Sequence, residues 1–252
     1  MINTIGFFGD SFCSEVSSPF SFLGGYKTYM RLLAEHYDAK IVNVGHGGSS
    51  IWDTLLIQLK PFMDNNTVPD VCVFVWTIPG RLFNRKIRRL NSTDVHHKIR
   101  WSNRNVWDAA EKFYDYLYDK EKEEIEYISG IQYINNVILP QLQSTKIVHL
   151  WTAGTTEGWN KDSIRPSKTT YPHKWTHGAE IRPSLLSLSI YDNDISVLKS
   201  DKRPNHLDGK FKNELLFNWI KLAVDSPDSI WDYSSVIDTL YDKSQVTDPP
   251  AI

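Results

Sequence analysis

Three short apolar runs in the first 76 residues, alternating with stretches of helical spacing, constrain the fold of this chain more than any other feature. The runs are Ile2 to Phe8, Lys40-Ile41-Val42-Asn43-Val44 and Val71-Cys72-Val73-Phe74-Val75-Trp76. Each has the length of a strand buried on both faces, and each is bounded by turn-forming residues. Between the first two, Tyr26, Tyr29, Met30, Leu33 and Tyr37 recur at three- and four-residue steps, as on the apolar face of a helix beginning near Gly25. Between the second and third, Ile51, Leu55, Leu56, Leu59 and Phe62 do the same, with Ser49 or Ser50 as the N-cap. Short strands alternating with helices point to a parallel, doubly wound sheet, because crossover helices pack back onto its faces.

The remainder extends this pattern. Helical spacing runs over about 106–126 and again over 128–142, and Lys146 to Trp151 forms another strand. A helix follows Gly209, with Phe211, Leu215, Leu216, Trp219, Ile220 and Ala223 on one face. A short strand is expected within Leu185 to Leu198, and a helix at Tyr233 to Tyr241. The expectation is a single α/β domain over 1–252: a three-layer α/β/α, flavodoxin-like sheet of about five mainly parallel strands, with a helical and loop insertion. Residues 153–185 lack periodicity and form an irregular aromatic-rich insert, read as an ordered lid or substrate wall; 225–252 forms a C-terminal strap.

Charge and apolar length exclude several function classes. A net charge of −2 gives no electrostatic case for nucleic acid or an anionic membrane. The basic group Arg81, Arg85, Lys86, Arg88 and Arg89 is local and reads as a solvated loop. No apolar run approaches the ~18 residues of a membrane span, and no secretory signal is present. No nucleic-acid or membrane partner is expected, and the expected location is the cytoplasm, compatible with a viral origin. Cys13 and Cys72 read as packed thiols rather than a disulfide framework.

The chemistry concentrates where the first strand breaks, at Gly9-Asp10-Ser11. Open α/β sheets place ligands beyond the carboxyl ends of their strands. Gly9 allows a sharp turn, and Ser11 then stands where backbone N–H groups can hold a negative charge. Asp10 is read as shaping that turn through its side chain. A serine hydroxyl is a weak nucleophile that needs a base and donors for the oxyanion it generates. Three loops, Gly9 to Ser11, Asn43 to Ser50 and Thr77 to Arg81, leave the carboxyl ends of successive strands and share one edge. Asn205-His206-Leu207, ahead of the last helix, brings an imidazole to them, and His46 in the glycine loop is a second candidate base. A metal hydrolase on His46, His173, His177 and Asp10 is disfavoured, because Pro172 and Gly178 break the helix that an i, i+4 histidine pair requires. No metal or cofactor is expected.

On these residues the chain resembles the SGNH, or GDSL-type, hydrolases. Gly9-Asp10-Ser11-Phe12 matches the first family block, Asn43-Val44-Gly45-His46-Gly47-Gly48 the second, and Asn205-His206 the last, in the family's order. The resemblance implies Ser11 as nucleophile, His206 as general base, and the N–H groups of Ser11 and Gly48 as oxyanion donors. The third block departs from the usual Gly-x-Asn-Asp: here it reads Trp76-Thr77-Ile78-Pro79-Gly80-Arg81, so Thr77 or Arg81 takes the place of the asparagine donor. The last block lacks the usual aspartate three residues before the histidine. Asp201 and Asp208 are the nearest acids, and Asp201 is the triad candidate, with a dyad as the other arrangement.

The activity implied is hydrolysis of small acyl esters through an acyl-enzyme. Nine tryptophans, many in polar contexts, make a carbohydrate O-deacetylase attractive, with Asp10, His46, Trp76, Trp159 and Trp175 lining a small-molecule or glycan ester. The competing class is a catalytically weak or inactive relative that binds glycan through the aromatic insert.

Overall fold

The computed structural model describes residues 1–14, 27–84, 90–91, 104–153, 174–190, 207, 210–227, 229–235 and 237. Six strands form one sheet in the order β2-β1-β3-β6-β7-β8, every neighbouring pair parallel. They are β1 (Thr4–Gly9), β2 (Lys40–Asn43), β3 (Val71–Trp76), β6 (Lys146–Trp151), β7 (Ala179–Arg182) and β8 (Ile230–Asp232). A separate antiparallel pair, β4 (Arg81–Leu82) and β5 (Leu90–Asn91), follows β3.

The period-two alternation of the central strands sorts their side chains onto two faces. Ile5, Phe7, Val71, Val73, Val75, Val148 and Leu150 join one core, with Met30 and Leu33 of α1 (Tyr29–Tyr37) and Leu216 and Ile220 of the helix Lys210–Asp225. Phe8, Cys72, Phe74, Trp76, Ile147 and Trp151 join the other, under Ile51, Leu55 and Leu59 and under Tyr127, Ile131 and Ile134. The result is a three-layer α/β/α arrangement. One face is mainly aliphatic, with Phe7 edge-on to Tyr29 within it. The other carries an aromatic ladder in which Phe74 stacks on Trp76 at 4.8 Å and His149 on Trp175 at 4.2 Å. His149 is buried there, with Nδ1 accepting from Trp76 Nε1 and Nε2 bonded to the His177 carbonyl. An indole N–H only donates and a carbonyl only accepts, so this histidine is held as the neutral Nε2–H tautomer.

Several elements match the reading of the sequence, and others correct it. Ser50 caps the second helix, its Oγ accepting from the Asp53 N–H at 3.2 Å. That helix runs as α2 (Ile51–Asp53), a π segment (Thr54–Leu59) and α3 (Lys60–Asp64). The helix expected at about 106–126 is two: α4 (Arg104–Tyr116) and α5 (Lys120–Tyr133), parted where Asp119 turns its side chain onto the Lys122 N–H as a new N-cap. Beyond α5 the chain continues through a π segment, Ile134–Ile138, and a 3-10 turn, Leu139–Leu142, that absorbs Pro140. Leu185 to Leu198 was expected to hold a strand. Its described part is the helix α6, Leu185–Ile190, because Leu185 and Leu188 occupy one face at helical spacing against the aliphatic core. The sheet has six strands rather than about five, since β7 lies within the stretch read as irregular and β8 within the expected strap. No helix among the described residues is long and apolar enough to cross a membrane.

Two local devices set the register. Asp70 Oδ2 accepts from the N–H groups of Asn3 and Thr4 at 2.8 and 2.9 Å and from Thr4 Oγ1 at 3.1 Å, locking the start of β1 beside β3. The Asn3 N–H holds the Asp70 carboxyl below its usual range; burial opposes it, and the N–H and hydroxyl of Thr4 add to the lowering. At the other end of β1, Gly9 has φ +150°, and a Cβ there would collide with the Val75 carbonyl. We expect Gly9→Ala to cost about 1–3 kcal/mol by overpacking, read as a lower urea midpoint at unchanged slope. A carboxyl depressed in the folded state contributes stability above its unfolded value, about 3.9, and that stability is lost as pH falls through the folded value. Asp70→Asn should therefore flatten the acid limb of stability against pH below about pH 4, measured by urea midpoints from neutral to strongly acid solution.

Candidate active site

The carboxyl ends of β1, β2, β3 and β6 lie at one edge of the sheet, and the loops that leave them meet over a single buried carboxylate. Asp10 follows β1 directly and is fully buried. Its Oδ1 accepts from the Phe12 N–H at 3.1 Å, which caps a 3-10 turn over Ser11–Cys13. Its Oδ2 accepts from Arg81 Nη1 at 2.9 Å and from Thr152 Oγ1 at 3.0 Å. Arg81 comes from the loop after β3 and Thr152 from the end of β6. The same Arg81 nitrogen lies 3.3 Å from the Ser49 carbonyl, in the loop after β2. One acid and one guanidinium thus tie four loops together, and Ser11 is the residue next to that acid.

The glycine loop is fitted against the Ser11 turn. The Gly45 N–H donates to the Cys13 carbonyl at 2.8 Å and the His46 N–H to the Gly9 carbonyl at 2.9 Å. Only glycine fits at 45, because a Cβ would run into Cys13 Sγ and the Gly9 and Asp10 carbonyls. A Cβ built on Gly47 would stand 3.7 Å from Ser11 Cβ, so this loop packs directly beside the serine. Gly48 has φ +80°, the left-handed conformation, in the turn closed by the Ser49 N–H on the His46 carbonyl at 3.2 Å.

Beneath both loops lies a buried polar network. Gln58 accepts from the Gly9 N–H through Oε1 and donates to the Gly9 carbonyl through Nε2, both at 2.9 Å. Nε2 also reaches Ser49 Oγ at 3.1 Å and Asp53 Oδ2 at 3.2 Å, and Ser49 Oγ donates to Asp53 Oδ2 at 2.6 Å. His46 Nδ1 lies 3.6 Å from the same oxygen. Burial pushes the Asp53 carboxyl up, but the approach of His46 and the hydrogen bonds from Ser49 and Gln58 outweigh it, and the net shift is downward.

Of the residues singled out in the sequence, the structure brings Asp10, Ser11, His46, Gly48 and Arg81 together at this edge. Thr77 is also there: its carbonyl accepts from Tyr127 OH at 2.6 Å, and its buried Oγ1 has no hydrogen-bond partner among the described residues. Trp76 and Trp175 are buried in the aromatic ladder, with ring centroids 5.1 Å apart. Trp159, Asp201, His206 and Asp208 lie outside the described residues. Leu207, the residue after His206, packs against the aliphatic core, and its carbonyl accepts from Asn213 Nδ2 at 3.3 Å. Asn213 Oδ1 accepts from the Tyr29 N–H at 2.9 Å, and Tyr29 OH donates to the Phe12 carbonyl at 3.0 Å. This relay links the chain at 207 to the residue after Ser11. Beside Arg81, a cavity of about 340 Å³ opens between Ile51, Trp52 and Leu56 on one side and Pro79, Phe83 and Tyr127 on the other.

Sequence reasoning missed Thr152, Gln58 and Asp53 as parts of this edge, and read Ser49 only as a loop residue and candidate N-cap. Thr152 carried a usable signal, since it immediately follows a strand whose end belongs to the ligand edge. Gln58 carried another: it is a lone amide within the apolar run Leu55 to Leu59.

No protein-family model matches the sequence, and no curated protein matches it. Among solved structures, the chain is similar to an acetyl xylan esterase, AlAXEase, at 16% identity over 96% of this chain and 83% of that one, with a TM-score of 0.33. It is also similar to a structure described as a GDSL-like lipase from Parabacteroides merdae, at 18% identity over 66% and 70% with a TM-score of 0.31. A third is Est2A, an acetyl xylan esterase from the rumen bacterium Butyrivibrio proteoclasticus, at 13% identity over 60% and 47% with a TM-score of 0.28. At these TM-scores the similarities carry no weight for the chemistry of this chain.

The ion pair at the centre can be tested by thermodynamics. Asp10 is wholly inaccessible and the Arg81 side chain 13% exposed. Removing one member leaves a nearly buried charge alone, so Asp10→Ala should cost about 3–5 kcal/mol by urea denaturation. The double variant Asp10→Asn/Arg81→Met should recover part of that loss, because no uncompensated charge remains.

Proposed function

We propose that this protein is a serine ester hydrolase working through an acyl-enzyme on small acyl esters. The observation that carries the reading is the seating of Ser11: its turn is capped by a buried acid, and the glycine loop packs against its Cβ. A rigid serine beside backbone N–H groups is what nucleophilic acyl transfer needs. The Ser11 and Gly48 N–H groups are the oxyanion donors. Thr77 is the better side-chain donor, since its buried Oγ1 has no partner among the described residues, whereas Arg81 Nη1 is engaged by Asp10 and Ser49.

His206 is the general base. The support is the relay from Leu207, the next residue in the chain, through Asn213 and Tyr29 to Phe12. Asp201 is the orienting acid. In the first half-reaction His206 takes the Ser11 proton as Ser11 Oγ bonds the carbonyl carbon. The carbon–oxygen bond to the alcohol then breaks, and the alcohol leaves with that proton. In the second half, water gives its proton to His206 as it attacks the acyl carbon, and Ser11 Oγ is reprotonated on release. The substrate class proposed is an acylated carbohydrate, with the cavity beside Arg81, lined in part by Trp52, Phe83 and Tyr127, as the candidate sugar site.

The test is turnover of p-nitrophenyl acetate. The wild type should hydrolyse it and label with a fluorophosphonate. Ser11→Ala should lose labelling and at least about 10⁴-fold in kcat, with His206→Ala comparably impaired. Activity surviving in Ser11→Ala overturns the assignment, and a wild type that neither turns over nor labels makes the protein a non-catalytic binder.

A further inference from the structure

His46 is held in an orientation that the acyl-transfer scheme does not use. Its backbone is fixed at both ends, the N–H on the Gly9 carbonyl and the carbonyl under the Ser49 N–H and Oγ. Its side chain is 33% exposed, yet Nδ1 is buried and has no hydrogen-bond partner among the described residues. The exposed part is therefore the opposite edge, which carries Nε2. Facing the buried nitrogen at 3.6 Å is Oδ2 of Asp53, whose side chain is wholly inaccessible. That separation is a few tenths of an ångström beyond hydrogen-bonding range.

The network beneath decides which way the proton lies. Gln58 must present Oε1 to the Gly9 N–H, since that group only donates, so its NH₂ is turned to Asp53. Ser49 Oγ gives its one proton to Asp53 Oδ2 at 2.6 Å, the shorter of its contacts to Asp53 and to the His46 carbonyl. Asp53 thus receives donors and offers none, and its Oδ1 has no partner among the described residues. A carboxylate in this setting favours a proton on the nitrogen that faces it.

We propose that Asp53 fixes His46 as the Nδ1–H tautomer, and that the outward Nε2 so left as an acceptor takes a substrate hydroxyl next to the scissile ester. This makes His46 a specificity-determining contact that selects partly acylated polyols over esters of simple alcohols. The substrate half rests on the hydrolase reading; the tautomer half does not.

Each half has its own measurement. Long-range proton–nitrogen spectra of protein labelled with ¹⁵N-histidine, with His46→Gln for assignment, should show the neutral His46 ring protonated at Nδ1. Asp53→Ala, which removes the acceptor that faces the ring, should abolish the preference for Nδ1–H. A wild-type ring protonated at Nε2 overturns the proposal whether or not the variant folds. For specificity, kcat/KM is compared for ethylene glycol monoacetate and ethyl acetate. The wild type should prefer the glycol ester, and in His46→Phe the preference should fall about 3–10-fold, mainly through KM, as for one lost hydrogen bond. An unchanged preference overturns the substrate half. If the wild type hydrolyses neither ester, the substrate half falls with the hydrolase reading, while the spectrum still decides the tautomer.

Discussion

A buried carboxylate is the constraint on which this edge of the protein depends. Taking Asp10 out of water is costly unless every lone pair facing the interior finds a donor. Three donors meet that demand: the Phe12 amide, the Arg81 guanidinium and the Thr152 hydroxyl. Each belongs to a loop leaving a different strand or to the turn at the serine itself. Solvating one acid inside the protein therefore organises the loops of β1, β3 and β6 at once, and Arg81 brings in the loop of β2 through the Ser49 carbonyl. Ion pairs of this kind are weak sources of net stability. Their consequence here is geometric: few arrangements of these loops satisfy Asp10, and the one adopted holds Ser11 beside the glycine loop.

The sheet beneath gives those loops a stiff base for a second physical reason. Its two faces are packed differently, with β-branched side chains on one and stacked aromatic rings on the other. The ladder continues through a neutral histidine, so a polar group is buried without an unmet demand at either ring nitrogen. β3 lies beneath this ladder and ends at Trp76, one residue before Thr77. The aromatic packing that fixes Trp76 thereby fixes the start of the loop that delivers Arg81.

How much of this could be read in the sequence follows from how local each determinant is. β1, β3 and β6 were legible because strands buried on both faces are written as apolar runs, and β2, a half-buried edge strand, because Ile41, Val42 and Val44 stand together before the glycine loop. The Ser50 cap and the helix over 210–225 were legible because capping and helical period act within a few residues. β7 and β8 were not, because Ala-Glu-Ile-Arg and Ile-Trp-Asp are short and mixed in polarity; their partners in the sheet, not their composition, make them strands. The run after Leu185 misled for the converse reason, its leucines fitting a strand as well as a helix until tertiary packing chose one face. At the site, the serine and glycine loops were visible as turn residues after strands. Asp53 was not, and Gln58 stood out only as an amide in an apolar run, since its partner Gly9 is 49 residues away and is brought to it by the fold.

The serine turn is held from two sides by unlike means, and the division has a chemical logic. On one side Asp10 and Arg81 form a charged tie that collects loops. On the other Gln58 grips both the N–H and the carbonyl of Gly9 with a neutral amide. The amide satisfies a donor and an acceptor of Gly9 together, and its NH₂ also reaches the buried Asp53 carboxylate. The segment ending at Leu207 reaches the same turn through a third route, the neutral Asn213–Tyr29 relay to Phe12. The charged pair thus bridges several strands, while neutral groups hold Gly9 and surround the second buried carboxylate, Asp53. A serine held this way meets a developing oxyanion with N–H dipoles already in place, and little reorganisation is left for the moment of reaction.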